Sequence, residues 1–205
     1  MRILIVTATD SEIAPIEGAL RARSGVDVLV TTVGMVATAA HCADALARTR
    51  YDLAVNLGLC GSFDPALPPG VVVHVVSDRL PELGAEDGEA FLPIELLGLS
   101  ADHLITNTAP PRNAALSRLR AVRGVTVNTV HGNPPSIVAL MTRCNADVES
   151  MEGAAFMYSC RLASIPYAQV RAVSNVVERR DRAHWRITEA IDALGAAALS
   201  ILEDT

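Results

Sequence analysis

The strongest constraint on the fold is an alternation between nearly uninterrupted apolar runs and longer segments with helical character. Continuous apolar runs are typical of strands that helices cover on both faces of a parallel sheet. Strands that alternate with helices in this way predict an α/β fold with a largely parallel sheet. The runs are RILIVTA, VDVLVTTV, YDLAVNLGLCGS, PGVVVHVVSD, GVTVNTVHG and PYAQVRAVSN.

Helical segments lie between and after these runs. The first, DSEIAPIEGAL, is predicted to begin at Asp10 or Ser11, and a long Ala-rich helix is predicted to follow Gly34. Residues 79–115 break the pattern, because they combine several prolines with acidic residues, and we predict loops with one short helix there. The other helices are predicted in SIVALMTRCN, SMEGAAFMYSCRLA and the closing amphipathic segment WRITEAIDALGAAALSILE.

Length and charge restrict the class of partner. The 205 residues fit one domain, 1–205, with a substantial core. The net charge is -6 and the only basic cluster is ERRDR, which argues against a nucleic-acid surface. No segment reaches the roughly 18 uncharged apolar residues that a membrane span requires, and the N-terminal strand lacks the features of a signal peptide. We therefore expect a small-molecule partner, with neither nucleic acid nor membrane.

Cysteines and histidines give no metal-binding pattern. The four cysteines have no metal-type spacing and lie in apolar segments, where a reduced thiol behaves as a small hydrophobe, so we expect a reducing cytoplasm. The histidines are scattered without paired ligand spacing, and no GxSxG motif is present for a serine nucleophile. We expect neither a metal nor an organic cofactor. The residues are Cys42, Cys60, Cys144, Cys160, His41, His74, His103, His131 and His184.

Polar features follow three of the predicted strands at their carboxyl ends. They are Glu12, the segment NLGLCGS at 56–62 and Asn175. In open α/β sheets ligands bind at this edge. Two of these features also have a structural explanation. A carboxylate such as Glu12 favours the positive end of a helix, and a glycine such as Gly58 suits a tight turn as well as a close approach of a ligand to the backbone.

Two further carboxylates, Glu149 and Glu152, stand in the otherwise apolar segment DVESMEGAAF. Ionised carboxylates are costly to bury without a partner, so they lie either on a solvated turn or beside a ligand. One interpretation makes Ser150 the N-cap of a helix, with the acidic neighbours facing its positive end. In the other interpretation, Met151 packs against the face of a sugar while a carboxylate accepts hydrogen bonds from two of its hydroxyl groups.

A buried cation is predicted within the last strand. Arg171 lies inside AQVRAVSN, so its charge points into the protein and needs an acidic partner, for which Glu149 or Glu12 could serve. A structural ion pair and a catalytic role are equally compatible with this position. The following segment, NVVERRDRAHW, combines mixed charges with Trp185, a pattern that suits a solvated face and a core aromatic as well as a binding site.

Five segments together resemble one known superfamily. ATDSEI, VGMVATAAHCA, NLGLCGS, VESMEGAAF and VRAVSN occur in the order and at the spacings of the nucleoside phosphorylase and methylthioadenosine nucleosidase superfamily. The resemblance spans nearly the whole chain, and its most specific element is the pair Met151 and Glu152. Within the superfamily, VERRDRAHW adds a likeness to the futalosine hydrolase family of the alternative menaquinone pathway. The resemblance implies a single-domain, three-layer α/β fold with a central, largely parallel mixed sheet flanked by helices.

The resemblance also implies a reaction, hydrolysis of the N-glycosidic bond between ribose and a purine through a transition state with oxocarbenium character. It implies that Glu12 orients and deprotonates the attacking water, and that Glu152 accepts the ribose 2- and 3-hydroxyls beside Met151. Arg171 would hold the water or a neighbouring carboxylate, near Ser174. Members usually form homodimers or larger assemblies in which a neighbour closes the 5′ pocket. The other residues placed at the substrate are Gly58, Glu149, Asn175, Gly132 along the purine, and Met35 and Trp185 near the 5′ substituent.

Local features favour water over phosphate and hypoxanthine over adenine. The segments TATDSEIAPI, VGMVATAA and NLGLCGSFD contain no arginine or lysine for a phosphate, and Glu12 would repel that anion. Related nucleosidases of 6-aminopurines carry an aspartic acid where this chain has Asn175. An amide offers a donor and an acceptor, which match a 6-oxo group and its protonated neighbouring nitrogen. This chain has Leu59 where relatives that hydrolyse methylthioadenosine usually have serine.

The 5′ substituent of futalosine is a carboxyphenyl ketone, which needs a cation and a flat apolar wall. The cation could come from the arginines near Trp185, from Arg79 or from a partner subunit. The rival interpretations are a methylthioadenosine or adenosylhomocysteine nucleosidase, a purine nucleoside phosphorylase, and a nucleoside-binding protein without catalytic activity. The presence of both Glu12 and Glu152 argues against the last. The arginines near the tryptophan are Arg179, Arg180 and Arg182.

Overall fold

A computed structural model describes residues 1–99 and 103–205, and its centre is an eight-stranded sheet. The strands of the chain are β1 (Ile3–Thr7), β2 (Val26–Val30), β3 (Leu53–Ser62), β4 (Val72–Arg79), β5 (Gly84–Asp87), β6 (Ala90–Pro93), β7 (Leu104–Thr106), β8 (Arg120–Thr126), β9 (Val148–Ser150) and β10 (Tyr167–Val176). The helices are α1 (Glu17–Ala22), α2 (Met35–Arg48), α3 (Ala114–Arg118), α4 (Pro134–Arg143), α5 (Gly153–Leu162) and α6 (Ile187–Glu203).

The sheet is mixed and largely parallel, as predicted. β1 lies between β2 and β3 and is parallel to both. β10 is parallel to β3 and antiparallel to β4, while β8 is parallel to β4 and to β9. β9 returns antiparallel onto β3, so β3, β10, β4, β8 and β9 form a closed ring of strands. Outside this ring, β2 and β1 extend from β3, and β7 pairs with β4.

Helices cover the sheet on two faces. Adjacent residues of a strand point to opposite faces, so Ile3 and Ile5 of β1 pack into a core shared with α6, whereas Leu4 and Val6 pack into a core shared with α2 and α5. For β1 the continuous apolar run therefore identified a doubly covered strand correctly. The strand predicted over GVTVNTVHG is displaced, because β8 ends at Thr126 and only residues 124–126 of that run belong to it. Within residues 1–99 and 103–205, no helix is long and apolar enough to cross a membrane.

The first helical segment differs from its prediction. Two 3-10 turns, Asp10–Glu12 and Ala14–Ile16, precede a short α1, so the single helix predicted over DSEIAPIEGAL is wrong. Pro15 lacks the backbone N–H that a helix interior requires, which accounts for the break before α1. The turn from Asp10 to Glu12 is nevertheless where the predicted base lies.

Residues 79–115 contain more structure than the predicted loops and single short helix. The short helical element within it is the 3-10 turn Ile94–Leu97, because α3 begins only at Ala114. In addition, β5 and β6 form a hairpin and β7 adds to the main sheet. The hairpin turns at Gly88 and Glu89, and Gly88 has a φ of 62°, the conformation that such turns require. Residues 100–102 of this segment lie outside the described part of the chain.

The acidic segment DVESMEGAAF is also divided differently from its prediction. Glu149 lies in the short strand β9, and α5 begins only at Gly153, with Glu152 at its N-cap position. The interpretation of Ser150 as the N-cap is therefore wrong. β9 has three residues and owes its extended conformation to pairing with β3 and β8, which are distant in sequence.

Candidate active site

A cavity of about 470 Å³ lies at the carboxyl ends of β1, β3 and β10, the edge that the sequence indicated. This volume is within the range of small-molecule sites. β9 and the segment after β8 complete its wall. The predicted site residues that line the cavity are Glu12, Gly132, Glu149, Met151, Glu152, Ser174, Asn175 and Trp185.

Three other predicted site residues are not part of the lining: Gly58, Arg171 and Met35. A Cβ atom at Gly58 would collide with the guanidinium of Arg171 and lie 3.2 Å from Oε1 of Glu12. Gly58 therefore makes room for side chains of the site, not for a ligand as predicted. Met35 is the first residue of α2 and is half-buried.

The carboxylate of Glu12 is buried and its two oxygens have different partners. Oε2 accepts hydrogen bonds from the hydroxyl of Thr7 (2.7 Å) and from the backbone N–H groups of Ala8 (3.0 Å) and Thr9 (2.9 Å). Oε1 accepts one from the N–H of Leu59 (3.2 Å). The turn after β1 therefore holds the carboxylate in a fixed orientation.

Glu152 is the second buried carboxylate of the cavity. Its Oε1 accepts a hydrogen bond from the N–H of Gly34 (3.1 Å), and its Oε2 accepts one from Nη1 of Arg171 (3.3 Å). The acidic partner of Arg171 is thus Glu152, and the predicted partners Glu149 and Glu12 are wrong. Arg171 does hold a neighbouring carboxylate, and it does so from behind the cavity wall.

The guanidinium of Arg171 is itself held by buried amides. Its Nη2 donates to the side-chain oxygen of Asn56 (2.6 Å), and its Nε donates to that of Gln169 (3.2 Å). The Gln169 amide in turn donates to Asp78 (3.0 Å), which also accepts a hydrogen bond from Thr126 (2.9 Å). Burial raises the pKa of Asp78 to about 6, and these hydrogen bonds oppose that increase. The orientation of Glu152 is therefore set by a buried polar chain.

Glu149 has a different partner, His131. Oε2 of Glu149 lies 2.8 Å from Nδ1 of His131, and its Oε1 accepts a hydrogen bond from the His131 backbone N–H (3.0 Å). Burial raises the pKa of Glu149, and its hydrogen bonds to His131 oppose the increase. Both residues line the cavity.

Ser174 and Asn175 end β10 next to the cavity. The Ser174 hydroxyl lies 2.8 Å from the side-chain oxygen of Asn175, to which it donates, and the Asn175 amide donates to the carbonyl oxygen of Val176 (2.9 Å). These bonds fix which end of the Asn175 amide carries the oxygen. A β-bulge between Val173 and Asn175 shifts the register with β3 at this point.

Arginine and tryptophan meet in the segment after β10. The guanidinium carbon of Arg180 lies 4.8 Å from the centre of the Trp185 ring, and that of Arg182 lies 5.8 Å from it. Arg179, Arg180 and Trp185 line the cavity. The cations of the lining thus lie in this segment, away in sequence from Glu12 and from the end of β3.

Among residues 1–99 and 103–205, no group of three or more histidine, cysteine, aspartate or glutamate side chains is arranged to hold a metal ion. The four cysteines are unpaired and buried. The polar side chains that line the cavity are carboxylates, an amide, a histidine, hydroxyls, two arginines and the thiol of Cys60.

Known proteins share both the sequence and the fold. Residues 17–204 match the sequence model of the phosphorylase superfamily. A futalosine hydrolase of Streptomyces coelicolor is 37% identical over 183 residues, 85% of this chain and 77% of that protein. The futalosine hydrolase of Thermus thermophilus is 32% identical over 186 residues, 88% of this chain and 83% of that protein. The chain belongs to the futalosine hydrolase family of the phosphorylase superfamily.

A solved structure shows the same fold at much lower sequence identity. The 5′-methylthioadenosine/S-adenosylhomocysteine nucleosidase of Helicobacter pylori with butyl-thio-DADMe-Immucillin-A has a TM-score of 0.84 and is 14% identical. The comparison covers 100% of this chain and 99% of that one. This likeness confirms the nucleoside phosphorylase-like fold that the motifs implied for this futalosine hydrolase family member.

Several groups in the site of this futalosine hydrolase family member were not predicted from the sequence. His131 was treated as one of five scattered histidines, although it directly precedes Gly132, which had been placed at the cavity. The backbone N–H of Gly34 and the side chain of Asn56 lie within two of the motifs but were assigned no role, and Gln169 lies just before a third; these groups hold Glu152 and Arg171. Asn56 and Gln169 are polar residues within apolar strand runs, and that signal could have identified them.

Proposed function

We propose that the chain hydrolyses the N-glycosidic bond of futalosine, releasing hypoxanthine and dehypoxanthinyl futalosine, as a step of menaquinone biosynthesis. The observation that carries this proposal is that two buried carboxylates, Glu12 and Glu152, line one cavity at the end of the sheet. The names of the relatives from Streptomyces coelicolor and Thermus thermophilus support futalosine as the substrate.

Glu152 is suited to bind the ribose. A carboxylate oxygen has two acceptor sites, and among the described residues each oxygen of Glu152 accepts one hydrogen bond, from Gly34 or from Arg171. One acceptor site on each oxygen is left for the 2- and 3-hydroxyls. Met151 lines the cavity beside it and offers an apolar surface to the sugar.

Glu12 is suited to activate water. Three donors occupy Oε2, whereas within the described part of the chain Oε1 accepts only from Leu59 and retains a lone pair towards the cavity. Oε1 takes a proton from the attacking water as the water oxygen bonds to the anomeric carbon. The backbone N–H of Leu59, not a side-chain hydroxyl, fixes this oxygen, so the leucine at this position is compatible with the role.

The distribution of charge favours water over phosphate. A phosphate at the anomeric carbon would lie between Glu12 and Glu152 and would need cations there. The cation that contacts Glu152 is Arg171, and its guanidinium already donates hydrogen bonds to Glu152, Asn56 and Gln169. The positive charge of Arg171 is therefore already neutralised by Glu152. A phosphate beside the negatively charged Glu12 would be repelled.

Asn175 supports hypoxanthine as the leaving base. Its amide oxygen accepts from Ser174, so the orientation of the amide is set before a ligand binds. An amide in a fixed orientation presents one donor and one acceptor, the pair that a 6-oxopurine requires. An adenine would leave a mismatched contact in a desolvated site, which costs about 1 to 3 kcal/mol.

The arginines beside Trp185 support a carboxyphenyl group at the 5′ end of the substrate. Arg180 stacks on the indole and both residues line the cavity. The indole offers a flat apolar wall, and a guanidinium next to it binds a benzoate through paired N–H donors. Arg179 and Arg182 are alternative donors from the same segment.

We also propose a cytoplasmic homodimer or larger homo-oligomer. Four unpaired cysteines suit a reducing compartment. Val33 and Val130 line the cavity and are 55% and 39% exposed, and the neighbouring Val36 is 79% exposed. Exposed apolar side chains grouped beside a binding cavity are typical of a contact surface, here one that a second copy would cover. The proposed reaction is attack of water on the anomeric carbon with transfer of a proton to Glu12, and it needs no metal or organic cofactor.

The test is incubation with futalosine, inosine and methylthioadenosine, each with and without phosphate, followed by chromatography of the released base. We expect hypoxanthine from futalosine at the same rate in both buffers. Preferential release of adenine would identify a methylthioadenosine nucleosidase. A strict requirement for phosphate would identify a phosphorylase, and binding without turnover would identify a nucleoside-binding protein.

A further inference from the structure

A carboxylate and a histidine form a fixed pair in the wall of the cavity. Glu149 holds His131 at two points, the backbone N–H and ring atom Nδ1. The side chain of Glu149 is 3% exposed and that of His131 is 12% exposed. A carboxylate on Nδ1 fixes the tautomer and the orientation of an imidazole ring. His131 lines the cavity, so its other ring nitrogen, Nε2, is the ring atom that can act on a ligand there.

The pair lies beside Asn175. A Cβ atom built on Gly61 would be 3.5 Å from Cγ of Glu149 and 3.3 Å from the amide nitrogen of Asn175. The two side chains are therefore neighbours above the same residue of β3. Since the proposed function places the purine against Asn175, the histidine lies at the purine end of the cavity.

Departure of a purine requires a proton that Asn175 cannot supply. The base leaves with the electron pair of the glycosidic bond, and protonation of its imidazole ring neutralises the developing charge. A positioned general acid is worth a factor of about 10² to 10⁴ in rate. An amide does not donate a proton under these conditions, so another group must act.

We propose that His131, held by Glu149, is the general acid that protonates the imidazole ring of the departing hypoxanthine. This inference rests on the proposed function. The Nε2 proton of the imidazolium passes to N7 of the base while the bond between C1′ and N9 breaks and its electron pair stays on the base. Water bonds to C1′ and gives its proton to Glu12. Hypoxanthine leaves as a neutral molecule. Afterwards His131 takes a proton from solvent and Glu12 releases its proton to solvent.

The test compares His131→Gln with the wild-type protein on two substrates. Glutamine can still donate to Glu149 but cannot deliver a proton. On futalosine we expect kcat to fall by about 10² to 10⁴, with KM within about threefold. On 4-nitrophenyl β-D-riboside, whose phenolate leaves without protonation, we expect the wild-type rate. His41→Gln, an exposed histidine on α2, is the matched control and should behave as wild type.

The two substrates separate proton donation from a structural role. An equal loss on both would make His131 a structural partner of Glu149 and overturn the inference, as would unchanged turnover of futalosine. If the wild-type protein does not accept the nitrophenyl riboside, the measurements on futalosine decide, since a structural role raises KM as well as lowering kcat. Failure of the wild-type protein to cleave futalosine would refute the proposed function itself, whereas wild-type cleavage with an unaffected variant refutes only the role of His131.

Discussion

At the scale of single residues, the unequal surroundings of the two Glu12 oxygens explain why this position requires a carboxylate. Oε2 accepts from Thr7, Ala8 and Thr9, and an amide nitrogen in its place would face three donors. Glutamine can therefore fit only with its oxygen there. Its NH₂ group then faces the N–H of Leu59 and the cavity, where it can no longer accept a proton.

We accordingly predict that Glu12→Gln abolishes turnover while the shape of the site is retained. The rate on futalosine should fall by at least about 10², and KM should stay within about tenfold because the ribose and base contacts remain. Steady-state kinetics on the purified variant measures both quantities. Glu17→Gln, which removes an exposed carboxylate paired with Arg21 on α1, is the control and should retain wild-type rates.

An unchanged turnover number for Glu12→Gln would remove this residue from the mechanism. A loss of activity together with a large decrease in melting temperature would show instead that the carboxylate is needed for folding of the turn. Thermal unfolding measures the second outcome, which requires a loss of stability larger than the cost of about 1 to 3 kcal/mol that comes from the opposed Leu59 and glutamine donors.

The identity of the buried charges could be predicted from the sequence, but their partners could not. The cost of burying a charge singled out Glu149, Glu152 and Arg171 without any structure. The position after the first strand singled out Glu12. Which acid faces the arginine depends on the side on which β9 enters the sheet, and no local pattern records that. For the same reason Gly58 was assigned to a ligand, although its missing side chain accommodates the arginine.

At the scale of elements, the turn before α2 controls an oxygen of Glu152. Gly34 has a φ of 107°, and in this conformation its N–H donates to Oε1 of Glu152. A residue with a Cβ atom rarely adopts this backbone conformation. Nothing lies within 4 Å of the position that a Cβ atom on Gly34 would take, so the constraint is conformational and not one of space.

We therefore predict that Gly34→Ala weakens substrate binding by an amount that reflects backbone strain, about 1 to 3 kcal/mol. The turn should relax to a negative φ and withdraw its N–H from Glu152, which lowers kcat/KM on futalosine. Gly18→Ala is the matched control, because Gly18 in α1 also has no atom within 4 Å of a built Cβ and has an ordinary helical backbone. It should leave activity unchanged and slightly increase the melting temperature. Equal kcat/KM values for the two variants would contradict a role for the turn.

Long strands and helices could be predicted from the sequence because their own residues determine them. β1, β3 and β10 are buried on both faces, and the helix after Gly34 begins and ends close to its predicted limits. The short strands β5, β6, β7 and β9 have three or four residues each and form through partners elsewhere in the chain. Their pairing depends on the assembled sheet, which a local pattern does not contain.

At the scale of the whole molecule, two buried groups on β4 give opposite dependences of stability on pH. Burial lowers the pKa of His74 from 6.5 to about 4, so its contribution to the free energy of unfolding is present above pH 6.5 and lost as pH falls towards 4. Burial raises the pKa of Asp78 from 3.8 to about 6, so its contribution is present below pH 3.8 and lost as pH rises towards 6. Each pKa unit corresponds to about 1.4 kcal/mol, so each group contributes roughly 3 kcal/mol.

The two contributions to the pH dependence of stability cancel approximately between pH 4 and 6. Removing either group should leave the pH dependence caused by the other. Relative to the wild-type protein, Asp78→Asn should gain free energy of unfolding as pH rises through this range, because His74 alone remains. His74→Leu should lose it over the same range. Urea unfolding at several pH values measures both curves. The double variant should follow the shape of the wild-type curve, and single-variant curves parallel to it would refute the assignment.

The closed ring of β3, β10, β4, β8 and β9 holds some of the cavity residues, whereas others lie outside it. Every strand of the ring is bonded on both sides, so Glu149, Ser174 and Asn175 cannot drift apart unless several ladders break at once. The segment that carries Arg180 and Trp185 belongs to none of these ladders. Substitutions in the segment proposed to bind the 5′ group can therefore alter substrate preference while the residues proposed to cleave the bond keep their spacing.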